Sequence, residues 1–550
     1  MNQHQPLLQV IPEKEQSAIR KAFQTNNTFA DSFLLCQLSW EPTRLDDFSW
    51  KSYGPVAICR DNKTLICISC YYGRWNTAVF PFMAYLRRNL CFTIDRDDHQ
   101  YQLRCAIYGD TDAAIAETAT WFLSLQYSEK ETVSLHICCL PIAGRPDFDV
   151  TALVQLSDIL DAHPTTDYVV SSGSWSIEQS RILASRSYPL SLTFVTGRRG
   201  SFAFHDNGTA FVEALESRVS SFEYLQIECD QNGLPFTRSN FRRFLQLDMV
   251  ISNLAIDLKS PLDGELALLP FCAKVDTLSY YFDAKIVRPE DFGSLAIHTK
   301  SIYIYTFVDG AEKWDAILIS LFHRMAALGH FTAFNFAIDF RNENNGEQFR
   351  FDQVATVTNA FIQAVQANRQ LSTLHIGRVH ARFKWGPHLQ SIFEAIEEHT
   401  GLQRVVLEDY PREDSNYIWL EQLLSRNRNI IVMDKERQKY SNGSSIDKLY
   451  ALNQYYRACA RLAKASPSLR PALVRKVLVE HTLQNYQRTA LLLSQHEEIL
   501  CEVFADVNWK EMGTQFVLDL TGSQISGPDV KRKKRFQPAR AAKKFVTHPL

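Results

Sequence analysis

Residues 364–376 read Ala364-Val365-Gln366-Ala367-Asn368-Arg369-Gln370-Leu371-Ser372-Thr373-Leu374-His375-Ile376, and this phrase decides the fold. It closes an amphipathic helical stretch that begins near Phe351, turns at Asn368, and ends on an alternating apolar segment. The chain then repeats it in phase, as Ala395-Ile396, His399, Leu402, Val405 and Leu407. A third copy opens with Leu423-Leu424, Asn427 and Ile430, and its strand is cut short at Val432. Two in-phase copies and a truncated third mark an internal repeat.

Towards the N-terminus the strand half recurs alone. It reads Phe331-x-x-Phe334-x-Phe336, Ile302-x-Ile304, Val275-x-x-Leu278-x-Tyr280, Ile251-x-x-Leu254-x-Ile256 and Phe222-x-x-Leu225-x-Ile227. Taking 227, 256, 280, 304, 336, 376, 407 and 432 as the last core position of each unit gives a mean step of about 29 residues, the long end of the leucine-rich-repeat range with insertions. Strands at Val133–Ile137, Tyr168–Val170 and Leu190–Phe194 are expected to extend the series. Apolar residues two apart point to one face of a short strand, and the preceding helix covers that face. No single unit can bury its core alone, so neighbours stack into a parallel sheet. An Asn before the strand can bond backbone groups at the tight helix-to-strand turn.

The phrase resembles the leucine-rich repeat of the ribonuclease-inhibitor type, most closely between residues 351 and 432. The resemblance implies an α/β solenoid, with a curved parallel sheet, outer helices and a concave face that binds proteins. Around it the sequence predicts a β-rich N-terminal region over 1–110, with strands at Pro55–Cys59, Thr64–Cys70 and Tyr101–Tyr108. The solenoid then spans 111–435, a helical C-terminal cap 436–520 and a disordered basic tail 521–550. In each strand the residues flanking the last apolar position point away from the core. This places Glu228, Asp257, Tyr281, Tyr303, Tyr305, Asn335 and His375 on the concave face. A solvated sheet face accounts for Gln, Asp and Ser there, but poorly for three tyrosines on two adjacent strands, because such aromatics are enriched in binding hot spots. Tyr281, Tyr303 and Tyr305 are therefore the expected anchors for another protein.

Charge is unevenly distributed. Residues 531–550 carry eight Lys and Arg and no Asp or Glu, which leaves 51 basic against 61 acidic residues elsewhere, so residues 1–530 sit near −10. A mildly acidic body argues against nucleic-acid contacts over most of it. Lys531, Arg532, Lys533, Lys534 and Arg535 resemble a nuclear-localisation cluster, which adds an import receptor as a further partner. The start has no basic region leading into a sustained apolar run, and no stretch reaches ~18 uninterrupted apolar residues, so neither a signal peptide nor a membrane span is expected. Twelve scattered cysteines fit free buried thiols in a reducing compartment, nucleus or cytoplasm.

Chemical motifs are weak by comparison. Cys67 and Cys70 have redox spacing, but on one strand they point to opposite faces, and no second pair follows at a zinc-site distance. Asp291-Phe292-Gly293 imitates a kinase triplet with none of its companion motifs. No phosphate-cradling glycine pattern, H-E-x-x-H or G-x-S-x-G occurs, so no cofactor, metal or catalytic residue is expected. Arg378 to Trp385 interleaves basic and aromatic residues, and with the tail it supports a rival reading as a nuclear nucleic-acid-associated protein. An enzyme with a site assembled from distant residues is the second rival. Deleting 521–550 is expected to leave the thermal transition in place and to shift a fluorescent fusion from the nucleus to the cytoplasm; continued nuclear accumulation would remove the tail as an import signal.

Overall fold

The computed structural model describes residues 6–22, 33–48, 55–72, 89–96, 101–127, 133–137, 153–171, 173–196, 202–229, 233–248, 250–258, 264–308, 313–339, 351–379, 386–464, 471, 474, 486–494 and 496–497. The basic tail, most of the 378–385 loop and most of the helices expected over 469–481 and 483–507 lie outside them. The chain divides into two compact units, 1–453 and 454–550. In the second, the described residues include the end of the Ser445–Lys464 helix and the Tyr486–Leu493 helix, with Val474 and Leu491 buried.

The first unit is a mixed α/β structure built on one sheet of seventeen strands. In chain order the strands begin β1 (Leu8–Val10), β2 (Leu34–Leu38), β3 (Val56–Cys59), β4 (Leu65–Tyr72), β5 (Asn89–Arg96), β6 (Tyr101–Tyr108), β7 (Val133–Ile137) and β8 (Asp167–Val170). Next come β9 (Ser174–Trp175), β10 (Ser191–Thr196), β11 (Ala203–Phe204), β12 (Phe222–Cys229), β13 (Ile251–Leu258) and β14 (Thr277–Asp283). The last are β15 (Ser301–Phe307), β16 (Ala333–Asp339), β17 (Thr373–Val379), β18 (Arg404–Leu407) and β19 (Ile431–Met433). β9 and β11 pair only with each other. From β7 through β8 and β10, and from β12 to β19, neighbours pair in parallel. The N-terminal strands continue the same sheet, largely antiparallel, in the spatial order β1-β2-β3-β4-β6-β5-β7. β1, β2 and β5 are strands that the sequence reading did not mark.

Helices such as Thr209–Glu216, Trp314–Leu328 and Phe351–Ala367 bury their apolar residues in one continuous core against a single face of the sheet. A parallel sheet covered on both faces reads as unbroken apolar runs. Here β10 and β15 alternate buried and half-buried residues instead, because among the described residues helices pack on one face. The core positions line up strand to strand as Val170, Phe194, Ile227, Ile256, Tyr280, Ile304, Phe336, Ile376 and Leu407, all of them buried. This is the series expected from sequence, extended two strands towards the N-terminus. Val432 departs from it: it pairs with Val405, one pair of residues short of Leu407. The third copy has one residue rather than two between Ile430 and its next core residue, so Val432 is equivalent to Leu374, and β19 ends before the last core level. Tyr450 finishes that edge, its hydroxyl accepting from the Val432 N–H at 3.3 Å and donating to the Val432 carbonyl at 2.9 Å.

The helix-to-strand turns are held by buried side chains. Asn368 accepts from the Phe331 N–H at 2.9 Å through Oδ1, and its Nδ2 donates to Ala364 O at 2.7 Å and Met325 O at 3.3 Å. His399 occupies the same place in the next unit, where its Nδ1 accepts from the Leu402 N–H at 3.1 Å and its Nε2 contacts Asn368 O at 3.2 Å. Asn427 donates to Ile396 O and His399 O, and Asn453 donates to Leu424 O. Each turn is thus bonded to the turn before it. Removing one of these groups strands buried amide partners, at a cost of about 1–3 kcal/mol. Asn368→Ala is expected to lower the melting temperature of the protein while leaving its binding to partners intact; an unchanged melting temperature would show that these bonds do not hold the turn.

Candidate interaction face

The face of the sheet opposite the helices has two parts. Over the N-terminal strands it is closed by a small apolar cluster, Leu35, Ala57, Cys67, Cys91 and Ala106, against which Ile19 of the Glu13–Ala22 helix packs. Burial pushes the Cys36 and Cys59 thiols up to about 11, so neither is an activated nucleophile. Farther along, this face carries polar and aromatic residues in rows set by the parallel register. One row runs Gln226, Ala255, Ser279, Tyr303, Asn335, His375. The next runs Glu228, Asp257, Tyr281, Tyr305, Ala337. All seven residues singled out from sequence therefore lie on this face, in two adjacent rows, with Glu228 and Asp257 to one side of the tyrosines and Asn335 and His375 to the other.

The tyrosines are half-buried side by side rather than freely exposed. The rings of Tyr281 and Tyr305 stack at 4.1 Å between centroids and 5° between planes. Neighbouring strands lie about 4.8 Å apart, so identical side chains at one level of two parallel strands meet face to face. The two phenols act on each other, and Asn335 on the adjacent strand acts on that of Tyr305. Burial foremost raises the pKa of both phenols, so they remain neutral. Asn335 Nδ2 donates onward to His375 Nδ1 at 2.9 Å. The ring stack and this bond together occupy four adjacent strands, β14 to β17. Gly377 stands beside it, and a Cβ there would lie 3.0 Å from Ala337 Cβ and 3.4 Å from Asn335 Oδ1. A side chain at 377 would press on the network.

Asn335 differs from expectation in being only 3% exposed. Its Oδ1 and the Nε2 of His375 are buried and have no hydrogen-bond partner among the described residues. Because His375 Nδ1 accepts, its Nε2 carries the proton. The pair therefore presents one acceptor and one donor, and turning the amide over with the other tautomer only exchanges the two roles. Buried polar groups left unpaired are uncommon and costly, so this pair is suited to an incoming amide group.

Two features were not legible in the sequence. A groove of about 930 Å³ crosses β7 to β13 on the same face, lined by His136, Thr193, Tyr224, Gln226, Glu228 and Asn253 among others. At its N-terminal side Arg104 Nε donates to Gln102 at 2.7 Å, Gln102 donates to Asp95 at 2.6 Å, and His136 Nε2 lies 3.1 Å from Asp95. Asp95 and His136 are 41 positions apart on antiparallel neighbours, a pairing that no local spacing announces. Among the described residues no group of three or more His, Cys, Asp or Glu is placed to hold a metal ion, and no helix is long and apolar enough to cross a membrane.

No protein-family model matches the chain, and no curated protein matches it significantly. The face itself carries a pH signature. Burial lowers the pKa of His375 from its ordinary 6.5. As pH falls through 6.5 the unfolded chain takes up the proton before the folded chain does, so stability is lost progressively below that value and is fully present above it. The melting temperature of wild-type protein is expected to fall more steeply than that of His375→Gln as pH drops below 6.5; parallel profiles would show that His375 does not titrate against the fold.

Proposed function

We propose that the protein is a non-enzymatic interaction module, a degenerate leucine-rich-repeat-like solenoid of the ribonuclease-inhibitor type that binds another protein on the helix-free face of its sheet. The observation that carries this reading is the Tyr281, Tyr303 and Tyr305 cluster on that face. Parallel sheets ordinarily bury both faces. Half-buried tyrosines left at the centre of an uncovered face are the residue type that dominates interface energetics, combining a large apolar ring with a hydroxyl. The in-phase repeats around Asn368, His399 and Asn427, with their turn-to-turn bonds, support the repeat assignment. A face of this length supports an adaptor or scaffold role.

Two rival readings have less behind them. The nucleic-acid reading rests on the loop 378–385 and the tail, whereas the uncovered face carries Glu228 and Asp257, which repel phosphate. The enzyme reading would draw on Asp95 and His136, which lie 3.1 Å apart beside the groove.

Affinity purification from cell extract with the wild-type chain and with tyrosine variants tests the proposal. Tyr303→Ser and Tyr305→Ser are each expected to weaken partner capture by ~1–2 kcal/mol, with little change in melting temperature. Undiminished capture by the folded variants would move the interface elsewhere.

A further inference from the structure

The uncovered face has a chemistry that narrows the partner. Across β12 to β16 the positions pointing away from the helices are 224, 226 and 228; 253, 255 and 257; 277, 279 and 281; 301, 303 and 305; and 333, 335 and 337. These fifteen positions hold Glu228 and Asp257 and no Lys or Arg. The Tyr281 and Tyr305 rings already form a parallel stack along the row. The next rung of that row, on β13, is Asp257, directly level with Tyr281, and beyond it Glu228 on β12. The carboxylate of Asp257 is close enough to act on the Tyr281 phenol.

We propose that this rung is the seat of an arginine side chain from an extended peptide segment of the partner, with its guanidinium stacked on the outer face of Tyr281 and paired with Asp257. The proposal rests on the protein-binding reading above and names the partner's chemistry. A planar cation continues an aromatic stack, where an ammonium group cannot, and its fork of N–H donors matches a carboxylate. Three strand spacings away, about 14 Å at 4.8 Å each, Asn335 Oδ1 and His375 Nε2–H offer the acceptor and donor that take a backbone amide of the same segment. An extended chain advances about 3.3 Å per residue, so both contacts are within reach of a few residues lying across the strands.

The experiment measures fluorescence anisotropy of fluorescein-labelled nona-arginine and nona-lysine with the full chain at about 150 mM salt, where long-range attraction between exposed charges is screened. The peptides have equal charge, so a simple acidic surface would bind them alike. Nona-arginine is expected to bind about tenfold more tightly, an advantage that Asp257→Asn and Tyr281→Leu each reduce about fivefold or more and that Tyr281→Phe keeps. Tyr281→Phe retains the ring, so it stays informative if the leucine variant fails to fold. Equal binding of the two peptides, or an arginine preference unaffected by Asp257→Asn, overturns the proposal. If the peptides bind alike while Tyr303→Ser still loses partners from extract, the face binds proteins by other chemistry. If neither assay responds, the protein-binding reading fails with it.

Discussion

The structure depends on one constraint, that successive parallel strands keep the same level. Val170, Phe194, Ile227, Ile256, Tyr280, Ile304, Phe336, Ile376 and Leu407 are neighbours across nine strands only because no unit slips by a residue. A slip of one would exchange core and uncovered faces for a whole strand. The buried turn residues hold that level where the repeats are best preserved. Asn368, His399 and Asn427 stand at the same place in successive units, and each ties its own turn to the preceding unit through a main-chain carbonyl. Insertions elsewhere in a unit then lengthen the loop without moving the strand.

Within that frame the core tolerates wide substitution. Phenylalanines replace leucines at Phe194, Phe334 and Phe336, and neighbouring rings fill the space, with Phe194 stacked on Phe202 at 4.5 Å and Phe322 edge-on to Phe336 at 4.9 Å. A tyrosine can occupy the core level because its hydroxyl is satisfied there: Tyr280 donates to Ala267 O at 2.7 Å. Volume and bonding are conserved where residue identity is not. The same level of the other face becomes an aromatic and acidic strip, because among the described residues no helix packs on this part of it and side chains there meet across strands.

The ends of the sheet are handled differently. At the C-terminal edge a single tyrosine, Tyr450, bonds both backbone groups of Val432. At the N-terminal end antiparallel strands interleave out of chain order, with β6 between β4 and β5, and a helix crosses to the otherwise open face. Exposed edges invite pairing with other chains, so each end needs some such device.

The sequence by itself determined the strands from β12 onward, the alternation of their faces and the seven residues of the uncovered strip, because these follow from the period-two geometry of a strand and need no knowledge of distant residues. It also located the turn asparagines, which sit at a fixed offset from each strand. Only the tertiary structure decided which of those seven residues touch. Tyr281 and Tyr305 meet because β14 and β15 are level; Asn335 reaches His375 because β16 and β17 stay level across a unit enlarged by insertion. The short level of Val432, the strands β1, β2 and β5, and the Asp95–His136 contact were likewise settled by pairing between segments far apart in sequence, where local pattern carries no information about partner or register.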